Sequence, residues 1–157
     1  MEQRLDAYKA APAAYKALVG VETYIQNSGL EHSLIELVKM RASQINGCAF
    51  CLDMHSKDAR RSGETEQRLY LLNAWRESRL YTPRERAALA WTESLTLVAQ
   101  TQAPDDVYAE VKFEFTEKEI VDLTTLIGMI NLWNRIAIGF RNQHPIDGEA
   151  EIAKKRA

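Results

Sequence analysis

Two cysteines and a histidine lie close together about a third of the way along the chain: Cys48-Ala49-Phe50-Cys51, then Leu52-Asp53-Met54-His55. On a helix that begins near Cys48, positions 48, 51 and 55 are spaced i, i+3 and i+7 and point to one face. Thiols one turn apart can close a disulfide, and an imidazole one turn beyond Cys51 can exchange a proton with it. Both thiols fall in the first turn, where unpaired backbone N–H groups and the positive end of the helix dipole favour an anion. That position predicts lowered thiol pKa values and more thiolate, the species that attacks peroxides and disulfides. Phe50, Leu52 and Met54 supply apolar surface to wall off such a site.

The same residues admit plainer readings. A Cys-x-x-Cys pair can be half of a zinc site, but no second pair and no His-x₃₋₅-His follows. Two buried cysteines can be structural. A thioredoxin-type domain needs a βαβ context that the sequence does not offer. His55 alone reads as a core histidine; its spacing from Cys51 raises it. His32 and Glu36 are i, i+4 on one helix and fit a solvated pair. His144, before Pro145 in a polar stretch, reads as structural or exposed.

The elements that must position these groups are helices. Residues 5–27 form a first helical region, with Pro12 allowing a break inside it and Asn27-Ser28-Gly29 ending it. Apolar residues at 30, 34, 37, 38 and 45 predict a helix from Leu30 to Ile45, stopped by Asn46-Gly47. The cysteine helix runs to about Arg61, with Arg60 and Arg61 in its last turn and Gly63 as its stop. A further helix covers roughly 64–77. Thr82-Pro83-Arg84-Glu85 is a capping box with proline at the first helical position. The helix it opens carries Ala88, Trp91, Leu95 and Val98 on one stripe. Pro104-Asp105-Asp106 opens a short helix to about Val111. Thr116-Glu117-Lys118-Glu119 is a second capping box, starting the longest apolar helix at roughly 117–141.

That last helix has Ile120, Leu123, Ile127, Ile130 and Ala137 on one side and Leu126, Trp133 and Phe140 on another. A helix apolar nearly all round must be covered nearly all round, which predicts an oligomer. Nothing reads as a strand, so the fold class is all-α. The 157 residues fit a single domain spanning 1–157, with a core of about 15–142 and a polar C-terminal tail.

Composition removes several alternatives. With 46% hydrophobic residues the chain can bury a core without disulfide staples, so disorder and a cystine scaffold are excluded. Lys+Arg is 20 against Asp+Glu 22, leaving no basic excess for a phosphate backbone, and no nucleic-acid partner is expected. The longest weakly charged run, Leu123 to Phe140, contains Thr124, Thr125, Asn131, Asn134 and Arg135, which predicts a buried helix and no membrane partner. The charged start Met1-Glu2-Gln3-Arg4-Leu5-Asp6 lacks an apolar targeting region, so a cytoplasmic location is the expectation.

The stretch Ser43-Gln44-Ile45-Asn46-Gly47-Cys48-Ala49-Phe50-Cys51-Leu52-Asp53-Met54-His55 resembles the core of the AhpD-like alkylhydroperoxidases, within the carboxymuconolactone decarboxylase superfamily. The family pattern has a glutamate twelve residues before the first cysteine, then Cys-x-x-Cys, then a histidine after three residues. Glu36, Cys48, Cys51 and His55 stand in that register. The similarity covers most of residues 15–142, including Ala90-Trp91-Thr92-Glu93. It implies an all-helical subunit assembling into trimers or hexamers. It further implies a thiol-dependent hydroperoxide reductase without cofactor or metal, in which Cys51 is the peroxidatic thiol and Cys48 the resolving one. Glu36 and His55 would relay protons, and an external dithiol or reductase would reopen the disulfide. The sequence departs from some well-known members at Phe50, where they carry histidine. This removes one proton donor and makes the site more apolar. Two alternatives stay open: a thiol-disulfide oxidoreductase or redox sensor acting on a protein partner, and a decarboxylase-like enzyme with non-catalytic cysteines.

Overall fold

The computed structural model describes residues 2–148. Nine α-helices follow in chain order among these residues: α1 (Ala7–Ala10), α2 (Pro12–Gln26), α3 (His32–Asn46), α4 (Ala49–Arg61), α5 (Glu66–Leu71), α6 (Pro83–Thr96), α7 (Val98–Thr101), α8 (Asp105–Glu114) and α9 (Glu117–Phe140). A 3₁₀ turn, Leu72–Ala74, continues α5. The described residues contain no strand, and the fold class is all-α. The tail expected beyond residue 142 lies largely outside the described residues.

Local chemistry sets most boundaries. Pro12 occupies the first turn of α2, so the expected break falls at Ala11. Both expected capping boxes form: Thr82 and Glu85 start α6, and Thr116 and Glu119 start α9, each pair satisfying two otherwise orphaned N–H groups. Arg84 then bridges these helix starts, bonding Glu31 at 2.9 Å and Glu119 at 2.6 Å.

Two expectations about the middle of the chain are corrected. The helix read over 64–77 is α for Glu66–Leu71 only and then tightens to 3₁₀. Leu69, Leu72 and Trp75 are buried at three-residue spacing, which a 3₁₀ turn brings into line. Val98 does not continue the stripe of α6. The helix stops at Thr96, where the Thr101 hydroxyl donates to the Ser94 carbonyl at 2.7 Å, and Val98 is left exposed. The expected end of α8 at Val111 is extended to Glu114.

Helix α3 is the centre of the molecule and packs against α4, α6 and α9. One core cluster joins Ile25, Leu34, Ile35 and Val38 to Ala88, Trp91, Leu123 and Ile127. A second joins Leu37 and Met40 to Leu69, Leu72, Trp75 and Leu89. A third surrounds the thiols: Ala42, Cys48, Cys51, Ile130 and Ala137. Because α3 is covered on opposite sides, its polar residues Glu36 and Lys39 are buried as well. Each has a polar partner, as burial demands: His55 for Glu36 and Glu22 for Lys39. Helix α9 is covered along most of its length, but Val121, Leu132 and Ile138 face outward. No helix among the described residues is long and apolar enough to cross a membrane.

Candidate active site

The turn between α3 and α4 places the first thiol. Gly47 takes a left-handed conformation (φ 68°), which a side chain would strain. The Cys48 N–H then reaches back to the Ser43 carbonyl at 3.0 Å, pinning Cys48 to the end of α3. Cys48 becomes the N-cap of α4, and Cys51 sits in the first turn. Both are free thiols, both are buried, and their sulfurs are 2.8 Å apart.

At that separation the two thiols titrate as a unit. The S–H of one can stabilise the thiolate of the other, but a second negative charge beside the first is opposed. Hydrogen bonding from Cys51 holds the Cys48 thiol down to about 7. The same hydrogen bond, followed by burial and the Cys48 charge, pushes Cys51 up. The sequence reading lowers both thiols; the contact between them favours a first negative charge on the pair and opposes a second.

A polar network behind the sulfurs was missed in the sequence. Asn134 is fully buried on α9 and lowers both thiol pKa values by hydrogen bonding. Its amide donates to the Ser43 hydroxyl at 3.0 Å and accepts from Asn46 at 2.8 Å. Asn46 also donates to Asn131 at 2.9 Å. Two asparagines three residues apart on an apolar helix were the available signal, since buried amides need partners.

Thiolate alkylation reads out this network. With Cys48 near 7, its reaction with iodoacetamide is expected to rise through neutral pH and level off by about pH 8.5, whereas a thiol at its ordinary 9.0 would be only about 1% ionised at pH 7. In Asn134→Leu the midpoint should move upward, measured by mass mapping of labelled Cys48 across pH. An unmoved midpoint would remove the amide from the site.

Helix α4 carries His55 one turn beyond Cys51, and α3 presents Glu36 to it. The His55 Nδ1 lies 2.9 Å from Glu36 Oε2, and both side chains are buried. An ionised carboxylate only accepts, so the Nδ1–H donates to Glu36 and Nε2 is the ring nitrogen left free of that bond. Cys51 and His55 line one cavity of about 470 Å³. Its walls come from distant parts of the chain: Tyr8 and Tyr15 near the N-terminus, Phe50 and Met54 on α4, and Trp133 on α9. Tyr15 packs edge-on against both Tyr8 and Trp133, with ring centroids 5.3 and 5.2 Å apart. Glu22, held by the buried Lys39, also borders this cavity.

The structure thus brings Glu36 and His55 into contact, Cys48 and Cys51 into contact, and Cys51 and His55 onto one cavity. His32 is exposed and Glu36 turns inward, so the pair read as solvated does not form; His144 is exposed. Among the described residues, the donors close enough to hold a cation are Glu36, His55 and Asp58, within 4.8 Å of one another. Neither sulfur belongs to that set, which leaves the half-zinc-site reading of the cysteines without further ligands.

Comparison with known proteins places this architecture. The carboxymuconolactone decarboxylase family profile matches residues 10–94. The uncharacterized protein YdfG of Bacillus subtilis is 46% identical over 143 residues, covering 91% of this chain and 97% of that protein. A crystal structure of a protein of unknown function from Agrobacterium tumefaciens, proposed as the antioxidant defence protein AhpD, is 51% identical, with a TM-score of 0.91 over 93% of this chain and 100% of that one. The debrominase Bmp8 shares the fold at 20% identity, with a TM-score of 0.75 over 87% of this chain and 74% of its own. By sequence profile and by fold, the chain belongs to the carboxymuconolactone decarboxylase family, in its AhpD-like branch.

Proposed function

We propose that the protein is a thiol-dependent hydroperoxide reductase. The observation that carries this reading is the pairing of two free thiols, 2.8 Å apart, with a carboxylate-bound imidazole that borders the same cavity as one of them. Cys51 is the attacking thiol because it lines the same cavity as His55. The pair ionises once near neutrality with the charge on Cys48, and a proton shift across the S–H···S contact moves that charge to Cys51. His55 Nε2 can also take the Cys51 proton, directly or through water, with Glu36 balancing the imidazolium.

The Cys51 thiolate attacks the terminal oxygen of the hydroperoxide. The O–O bond breaks, the leaving alkoxide takes the proton from His55, and Cys51 becomes a sulfenic acid. Cys48 attacks that sulfur and expels hydroxide, which leaves as water, closing the Cys48–Cys51 disulfide. The sum is hydroperoxide plus two thiols giving alcohol, water and a disulfide. An external dithiol or a reductase must restore the thiols. The family likeness and the antioxidant role proposed for the Agrobacterium relative support the same class of chemistry. Trimeric or hexameric assembly belongs to this reading: Phe113, Val121, Leu132 and Ile138 are apolar and uncovered on the single chain.

The test is stoichiometric. Reduced protein mixed with cumene hydroperoxide is expected to lose two thiols for each hydroperoxide converted to alcohol, and dithiothreitol should restore both. Thiols that survive an excess of hydroperoxide would end the proposal.

A further inference from the structure

We propose that the Cys48–Cys51 disulfide is reopened from the Cys48 side, through a second cavity whose basic rim selects thiols that carry negative charge. The inference rests on the peroxidase reading for its oxidised state and names the partner of that same site. The two cysteines, though in contact, line two neighbouring cavities that share Phe50, Ala137, Asn142 and Gln143 as a common wall. Cys51 faces the one that holds His55, together with Asp6 and Glu22. Cys48 faces another of about 470 Å³, bordered by Arg4, Arg141 and His144. No acidic side chain among the described residues lines this second cavity.

Arg4 is held in place by the end of α9. The Arg4 N–H donates to the Phe140 carbonyl at 2.9 Å, and its guanidinium donates to the Gly139 carbonyl at 3.1 Å. Arg141 adopts a left-handed conformation (φ 58°) that terminates α9 beside the start of α4. Gly47, Cys48, Ala49 and Phe50 bring the N-terminal end of α4 to the same cavity. Arg4 also offsets the carbonyls at the end of α9, so capping that helix is its competing role.

Attack from this side has a chemical consequence. An incoming thiolate bonds to the Cys48 sulfur, the Cys48–Cys51 bond breaks, and its electron pair leaves on Cys51. A second thiolate, from the other arm of a dithiol or a second monothiol, attacks the outer sulfur of the mixed disulfide and releases Cys48. Two thiols of the reductant are oxidised to a disulfide, and their protons return to the protein thiols. Cys51 is thereby freed first, as thiolate, on the cavity that receives hydroperoxide. Arg4 and Arg141 attract an anionic thiol at the second cavity, whereas the carboxylates bordering the first, Asp6 and Glu22, are paired with Lys9 and Lys39 and offer no such attraction.

Protein oxidised by diamide tests the route without any hydroperoxide, so failure of the peroxidase reading and failure of this one remain distinct. The probes are 2-mercaptoethanesulfonate, 2-mercaptoethanol and cysteamine: anionic, neutral and cationic. Reactions are quenched with N-ethylmaleimide and mapped by mass, with rates normalised to thiolate fraction. The mixed disulfide is expected on Cys48, with Cys51 alkylated. Rates should fall in the order sulfonate, alcohol, amine, with roughly five-fold or more between the extremes at low salt and compression of that range at about 0.5 M NaCl. The combined variant R4Q/R141N should flatten the order, Asn being tolerant of the left-handed position. Adducts on Cys51, an absent charge order in the unaltered protein, or an order unchanged in the folded variant would each overturn the proposal. The charge series on the unaltered protein needs no variant to decide.

Discussion

Cys51→Ser should lower hydroperoxide turnover by on the order of 10³-fold or more, because a serine hydroxyl offers no thiolate and forms no sulfenic acid. The substitution nearly conserves volume, and its hydroxyl enters a pocket where Asn134 and Ser43 already offer hydrogen bonds to this position. The fold should therefore persist, checked by urea unfolding. Cys48→Ser separates the two steps of the mechanism. Cys51 remains able to attack, so one equivalent of hydroperoxide should be consumed and a sulfenic acid should become trappable with dimedone. No disulfide can close, and excess hydroperoxide should drive Cys51 to the irreversible sulfinic acid. The Cys51 pKa should also fall in this variant, since its neighbour's thiolate is among the causes that raise it. Intact first turnover in Cys51→Ser together with loss of it in Cys48→Ser would exchange the two roles.

The difference between these thiols marks the limit of what local sequence can carry. The Cys-x-x-Cys spacing places two sulfurs at one helix end, and Gly47 makes that end legible. The capping boxes at Thr82 and Thr116 are equally local, because each is a bond between residues three apart. Which cavity each cysteine lines is not local. Tyr8 and Tyr15 reach the Cys51 cavity from the N-terminal helices, Trp133 from α9, and Arg4 and Arg141 reach the Cys48 cavity from opposite ends of the chain. The Glu36–His55 contact required α3 and α4 to pack in one register, and spacing alone left Glu36 equally close to His32. Only the family resemblance singled Glu36 out. The break after Thr96 goes with the Thr101 hydroxyl capturing the Ser94 carbonyl seven residues before it, and it removed Val98 from a stripe that periodicity had extended.

Turnover in Glu36→Gln is expected to fall by about 10²-fold or more, within the range that positioned acid–base groups contribute. The amide is nearly isosteric, and its carbonyl can still accept from His55 Nδ1, so the ring should keep its orientation. What is lost is the negative charge that balances His55 when it carries the Cys51 proton. Removing a buried charge while keeping its hydrogen bond costs little stability, so unfolding should change far less than rate. His55→Gln should lose at least as much activity, and the double variant should lose little beyond the larger single effect, because the two residues act as one unit. Labelling of Cys48 by iodoacetamide should stay near that of the unaltered protein, since its lowered pKa arises chiefly from Cys51 and not from Glu36. Turnover within two-fold of the unaltered protein in Glu36→Gln, measured with saturating dithiol and limiting hydroperoxide, would show that the carboxylate holds the imidazole in place without sharing its proton chemistry.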